Sequence, residues 1–142
     1  KETLECLQSL RKSDYPNYEI IVVDNASLND EAETIKQRFP EISLIKSNSN
    51  LGFTGGNNLG IKRALENNAQ YIWLLNNDAV VEPNTLSELI RSAETSPEIG
   101  LLSPSVYYYS LPDIIQSCGS YLDWNNFRIV LLKIQNTKER QK

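Results

Sequence analysis

The chain has 142 residues, 40% of them hydrophobic and 23% charged, with a net charge of −4 and a pI near 4.9. That is enough chain for one domain with a real core, and its acidity argues against a non-specific nucleic-acid binder. It leaves room for an anionic ligand offset locally by a metal and backbone N–H groups. His is absent, so imidazole is excluded as base, nucleophile or metal ligand. Cys6 and Cys118 lack metal-ligand spacing and read as reduced, mostly buried thiols of a cytoplasmic protein, a disulfide being the alternative. No run reaches the ~20 apolar residues of a membrane span; Arg128 and Lys133 interrupt the apolar cluster at Phe127–Ile134.

Leu4, Leu7 and Leu10 recur at helical spacing, which predicts an amphipathic helix over 2–12. The turn Asp14-Tyr15-Pro16-Asn17 ends it. The β-branched run Ile20 to Val23 predicts a strand covered on both faces, as in a parallel sheet. Asn29 or Asp30 can cap the next helix, whose buried stripe is Ala32, Ile35 and Phe39 and whose end is Pro40. Ile42, Leu44 and Ile45 predict a shorter strand. After a glycine-rich stretch, Leu59 to Glu66 predict a helix with Ile61, Ala64 and Leu65 inward. Tyr71-Ile72-Trp73-Leu74-Leu75 is the most strand-like run in the chain. A helix from Pro83 or Asn84 to about Ala93 follows, with Leu86, Leu89, Ile90 and Ala93 on one face. Ile99 to Leu102 predicts a further strand. Beyond Pro104 the pattern weakens, and 135–142 reads as a frayed polar tail.

Strands alternating with helices predict an α/β fold, a doubly wound and mostly parallel sheet flanked by helices. Such domains usually open on a strand, whereas this chain opens on a helix and lacks Met, the expectation for an excised piece of a longer protein. In an open parallel sheet, ligands bind beyond the carboxyl ends of the strands. Three polar clusters each follow a predicted strand: Asp24-Asn25-Ala26-Ser27, the stretch Asn48 to Gly60, and Asn76-Asn77-Asp78. Parallel strands would carry all three to one rim.

Each cluster has a chemical reading beside a plain one. Asp24 suits hydrogen bonds from a nucleobase N–H or ribose hydroxyl, and equally a turn or a helix cap. The segment Gly52-Phe53-Thr54-Gly55-Gly56-Asn57-Asn58-Leu59-Gly60 concentrates glycines where backbone can approach phosphate at a helix start. It fits neither the P-loop nor the G-x-G-x-x-G fingerprint, and a tight connection is its plain reading. Asp78 suits a hard cation such as Mg²⁺ or Mn²⁺ shared with substrate phosphates, with Asn76 and Asn77 in support; a helix cap is the alternative.

At these clusters the sequence resembles the family 2 glycosyltransferases, inverting enzymes of the GT-A fold that use nucleotide-sugar donors. The resemblance runs from Thr3 to about Val106. Leu7-x-Ser9-Leu10, Tyr15-Pro16 and Glu19-Ile20-Ile21-Val22-Val23-Asp24-Asn25-x-Ser27 look like the family's first helix and second strand, which implies that Asp24, with Asn25 and Ser27, contacts the donor's nucleoside. Asn50-x-Gly52 through Asn58-x-Gly60 resembles the family stretch N-x-G-x-x-x-A-R-N-x-G, implying donor contacts at Gly55, Gly56, Asn57 and Asn58. Gly56-Asn57 stands where Ala-Arg is common, so the usual Arg contact is missing, and the Gly-Gly-Asn-Asn form is similar to the rhamnosyltransferase branch. Asn76-Asn77-Asp78 stands at the family's Asp-x-Asp motif with its first acid replaced. The resemblance leaves Asp78 as the metal ligand and Asn76 and Asn77 as donor contacts.

What the resemblance implies is a Rossmann-like GT-A nucleotide-sugar-binding domain over 1–142, truncated at both ends. Its first strand would precede Lys1, and its catalytic base and most of its acceptor site would follow Lys142, so no residue here is assigned as catalytic; Asp113 and Asp123 lack the expected surroundings. The expected activity moves a sugar with inversion from a dTDP- or UDP-sugar to a saccharide or lipid-linked acceptor in cell-surface polysaccharide synthesis, with Mg²⁺ or Mn²⁺ as cofactor. The full protein would be cytoplasmic or peripheral at the inner face of the membrane, and the truncated segment could self-associate. One alternative is a non-catalytic GT-A-like module that binds nucleotide-sugar or serves assembly. Another is a sugar-phosphate nucleotidyltransferase, whose Gly-rich loop with Arg and Lys would lie outside this sequence.

Overall fold

The leucine stripe at the chain's start does form a helix, α1 (Glu2–Leu10), with Leu7 buried and Leu4 and Leu10 packed beside it. The computed structural model describes residues 1–28, 31–123, 125–126 and 128–131. After α1 come β1 (Ile21–Asp24), α2 (Glu31–Arg38), β2 (Ser43–Lys46) and α3 (Gly52–Glu66). These elements, with the chain that follows to Pro83, form one compact unit; residues from Asn84 onward form a second.

In the first unit β1 and β2 pair in parallel, Ile21 beside Ser43 through Asp24 beside Lys46. The ladder runs past both ends, with Ser43 N–H donating to Ile20 O at 2.8 Å and Ser47 N–H to Asp24 O at 2.9 Å. The core lies on one face of this pair. Leu7, Ile35, Phe39 and Ile42 are buried together, and Ile20 and Val22 pack against them from the sheet. The buried stripe of α2 is thus the predicted one, Ala32, Ile35 and Phe39. Arg11 closes the cluster from outside: its guanidinium lies 4.1 Å from the centre of the Phe39 ring, is forked onto Glu41 at 2.6 and 2.8 Å, and reaches Arg38 O at 3.0 Å. The other face of β1 carries α3. A Cβ on Gly60 would lie 3.3 Å from Val23 Cγ2, so the absent side chain is what admits this approach.

Helix α3 begins at Gly52, seven residues before the predicted start at Leu59. Gly and Asn are poor helix formers, yet here packing on β1 and hydrogen bonds to the first turn outweigh propensity. Of its expected inward positions, Ala64 is buried and Ile61 half-buried, but Leu65 is 60% exposed. The helix ends in a Schellman motif: Asn68 takes φ 60°, its N–H donates to Leu65 O, and Ala69 N–H reaches back to Ala64 O, both at 3.0 Å.

The predicted strand Tyr71–Leu75 does not form. A strand is defined by ladder hydrogen bonds to a neighbour, and among the described residues no backbone pairs with these five. Tyr71, Ile72 and Leu74 are 48%, 39% and 52% exposed. Both flanks are nonetheless held, one by the cap of α3, the other by α1. Val81 N–H donates to the buried Ser9 Oγ at 3.1 Å, and Pro83 O accepts from Asp14 N–H at 2.9 Å.

In the second unit, α4 (Thr85–Glu94) begins after Asn84, and Leu86, Leu89, Ile90 and Ala93 share its half-buried face. The predicted strand Ile99–Leu102 does not form; Leu101 is 95% exposed and the segment has no ladder partner among the described residues. Two antiparallel pairs follow instead: β3 (Val106–Tyr108) with β4 (Leu111–Ser117), and β5 (Ser120–Asp123) with β6 (Arg128–Leu131). Asp123 organises the second turn by accepting from Asn125 N–H at 3.0 Å and Asn126 Nδ2 at 2.9 Å, and these bonds hold its carboxyl below the usual range.

The expectation of a continuous, mostly parallel sheet is therefore corrected. The described residues form three two-stranded pairs, one parallel and two antiparallel. Cys6 and Cys118 form no disulfide with each other; Cys6 is buried and Cys118 half-buried. No described helix is long and apolar enough to cross a membrane. The expected caps Asn29 and Asp30, Phe127 and Leu132–Ile134 of the apolar cluster, and the tail 135–142 lie outside the described residues.

Candidate functional site

The carboxyl ends of β1 and β2 bring two of the three polar clusters together. Ala26 takes the left-handed conformation, φ 64°, which turns the chain so that Ser27 N–H returns to Asp24 Oδ1 at 2.9 Å. The Ser27 hydroxyl, the Ser27 N–H and the charge of Lys46, its register partner across the sheet, hold the Asp24 carboxyl below its ordinary value. Asp24 is thus an ionised acceptor, half-exposed at the rim.

Asn25 turns the other way, toward α3. Its Nδ2 donates to Asn50 Oδ1 at 3.1 Å and to Gly52 O at 3.0 Å, while its Oδ1 accepts from Leu51 N–H at 2.9 Å. Asn50 Oδ1 in turn accepts from Gly52 N–H at 2.8 Å. The first N–H groups of a helix have no intrahelical acceptor. Those of Leu51 and Gly52 are taken by these two side chains; among the described residues nothing takes those of Phe53 and Thr54. The start of α3 therefore offers two free N–H groups and a positive dipole end beside Asp24.

The glycines shape this start. Gly52 has φ +69°, which a side chain would strain, and a Cβ on Gly55 would fall 2.6 Å from Leu51 Cβ. Asn57, half-buried, donates its Nδ2 to Phe53 O one turn back at 3.0 Å, whereas Asn58 is exposed. Asn50 and Lys46 were not among the sequence-derived site residues. The signal for Asn50 was its place two residues before the first glycine; nothing in the sequence marks Lys46.

The third cluster is not joined to the other two. Among the described residues, no hydrogen bond or ion pair links Asn76–Asp78 to Asp24 or to α3. These residues belong to α1 instead: Asn77 Nδ2 donates to Thr3 Oγ1 at 2.8 Å, and the Cys6 thiol donates to Asn76 O at 3.8 Å. Burial, and then the charge of Asp78, push the Cys6 thiol up. The expectation that all three clusters follow strands onto one rim holds for the first two. The segment before Asn76 is not a strand, so sheet geometry does not carry the third there.

As a metal site, Asp78 offers one carboxylate flanked by two carboxamides, and no group of three or more acidic or thiol ligands stands among the described residues. A surface depression lined by Ile45, Leu59, Lys62, Arg63 and Glu66 lies farther along α3 and includes none of these residues.

Residues 1–138 match the family model of glycosyl transferase family 2. Glycosyltransferase GlyG of Streptococcus pneumoniae serotype 4 is 24% identical over 147 residues, covering 99% of this chain and 46% of that protein. The low-salt glycan biosynthesis hexosyltransferase Agl10 of Haloferax volcanii is 30% identical over 89 residues, 62% of this chain and 28% of that protein. The chain thus spans about half the length, or less, of the curated relatives it matches. No solved structure gives a significant match.

Proposed function

The chain belongs to glycosyl transferase family 2, and from that membership we propose that it forms the donor-binding part of an inverting glycosyltransferase acting in polysaccharide synthesis. The observation that carries this reading is the pairing, at one sheet rim, of an ionised Asp24 with the open N–H groups at the start of α3. Those are an acceptor for nucleoside hydroxyl or N–H groups and a donor set for phosphate, as a nucleoside diphosphate requires.

In this reading Asp24, with Ser27 holding its carboxylate, orients the nucleoside. Phe53 and Thr54 N–H groups receive the diphosphate, presented by a first turn in which Gly55 and Gly56 leave room for Leu51 and Asn25 to pack. Asn57 and Asn58, on the second turn of α3, face the sugar-diphosphate. Asn76 and Asn77 support Asp78, which would hold Mg²⁺ or Mn²⁺ against the diphosphate. Such a cation neutralises charge on the leaving group as the sugar departs. The base that deprotonates the acceptor hydroxyl is not assigned to any residue of this chain. The donor is a dTDP- or UDP-sugar, the former matching the rhamnosyltransferase-like Gly-Gly-Asn-Asn stretch. The acceptor is a saccharide or lipid-linked saccharide, met on the cytoplasmic side where nucleotide-sugars are made.

Calorimetry of dTDP and UDP with Mn²⁺ tests this. Asp24→Ala and Asp78→Ala should each weaken binding by about tenfold, the cost of roughly one charge-assisted contact, and Asn77→Ala by less. In the Asp78→Ala protein, omitting Mn²⁺ should change little. Equal affinity across all four proteins would refute the assignment of both acids.

A further inference from the structure

We propose that Asn25 is a positioning residue: it clamps the start of α3 to the Asp24 turn, and Gly56 is glycine because the Asn25 side chain occupies the space its Cβ would need. Asn25 was grouped with the donor contacts by resemblance, but its carboxamide is spent on the chain itself. Both Nδ2 protons are donated, to Asn50 Oδ1 and Gly52 O, and Oδ1 accepts from Leu51 N–H. The adjacent acid faces the opposite task, since Ala26 turns Ser27 back onto Asp24. Two consecutive side chains thus define the two halves of the site. Asp24 is held open at the rim, and Asn25 sets how far from it the helix begins.

Gly56 completes the arrangement. It is buried, and a Cβ there would lie 3.3 Å from Asn25 Nδ2, 3.4 Å from Cγ and 3.8 Å from Cβ. The neighbour in the way is the clamp itself. A methyl group at position 56 must push the carboxamide off its three partners or lift the helix from it. Only a carboxamide satisfies this geometry. An aspartate would set a second acceptor against Gly52 O and Asn50 Oδ1, and a shorter side chain leaves Leu51 N–H without its partner.

The inference rests on the donor-binding reading for its functional consequence but not for its geometry, so the two are tested separately. Amide exchange on the unliganded chain reads the clamp. Leu51 and Gly52 should exchange at least tenfold more slowly than Phe53, and this needs no variant. In Asn25→Ala the protection of Leu51 should vanish while Gly52, bonded to Asn50, keeps part of its own, and in Gly56→Ala the protection of Leu51 should fall although no hydrogen-bonding group is removed. Adding Gly56→Ala to Asn25→Ala should cost little further protection, because the obstructed space is then empty. Leu51 and Gly52 exchanging as fast as Phe53 in the wild-type chain, or additive effects in the double variant, would overturn the clamp.

Binding reads its role. Asn25→Ala should weaken dTDP and UDP by about tenfold, the loss of roughly one net hydrogen bond's worth of alignment, while leaving thymidine and uridine unchanged, since the nucleoside end rests on Asp24. Equal losses for nucleoside and diphosphate would make Asn25 merely structural and refute positioning. A wild-type chain with a protected Leu51 amide that binds no nucleotide would instead refute the donor-binding reading and leave the clamp intact.

Discussion

Replacing Phe39 by Ala should remove the support on which the site's strands rest. Phe39 is 2% exposed and among the largest fully buried side chains, packed with Leu7, Ile35 and Ile42. Truncating a buried Phe costs about 3–5 kcal/mol in lost transfer energy and cavity. Loss of the Arg11 contact to its ring adds about 0.5–1 kcal/mol. At roughly 0.05–0.15 kcal/mol per residue, a unit of the size of Lys1–Pro83 has about 4–12 kcal/mol in all. The variant therefore loses more than a quarter of its stability. Urea titration followed by tryptophan fluorescence, with Trp124→Phe as background so that Trp73 reports, measures this. With a slope of about 2 kcal/mol/M, the midpoint should fall by about 2 M. Phe39→Leu, which refills most of the space, should lose about 1 kcal/mol. A loss under about 1.5 kcal/mol in Phe39→Ala would refute the account of this core.

Two further outcomes follow from local geometry. Asn68 sits at φ 60° in the cap of α3; because a left-handed residue with a Cβ costs about 1–2 kcal/mol and Asn relieves only part of it, thermal melts should rank Asn68→Gly at or above wild type and Asn68→Ala below. The reverse order would contradict the Schellman cap. Arg11 holds the Glu41 carboxyl down to about 2 from 4.5. A depressed carboxyl stabilises the fold fully above its unfolded value and loses that contribution as pH falls from 4.5 toward 2. Glu41→Gln should flatten the acid limb of the stability profile in that window, lying slightly below wild type at neutral pH, as expected of an exposed pair, and converging with it at the acid end; an unchanged acid limb would rule the pair out as its cause.

How much of this was legible depends on where each element finds its partners. The stripes of α1 and α2 and the β-branched run of β1 could be read because a periodic apolar face states what it buries. The start of α3 could not. Its first seven residues are poor helix formers, and they are helical because of Asn25 and Val23, which are distant in sequence. Tyr71–Leu75 and Ile99–Leu102 show the opposite failure. Their composition suits a strand, but a strand also requires a neighbour, and composition does not supply one. The hairpins after Pro104 carry little alternation, so nothing announced them. Among the site residues, Asp24 and the glycines were found by type and position. The division of labour between Asp24 and Asn25 was hidden, since it depends on the backbone of Ala26.

The segment Tyr71–Leu75 separates two properties that are often equated. It is tied down on one side through Ala69 and on the other through Val81 and Pro83, so its path is set. Yet its five amides face no acceptor among the described residues, and an amide without an acceptor exchanges with water more readily than one in a helix or ladder. An exchange map of this chain will therefore draw a gap where the course of the backbone is well defined. In this protein, protection counts acceptors and does not measure order.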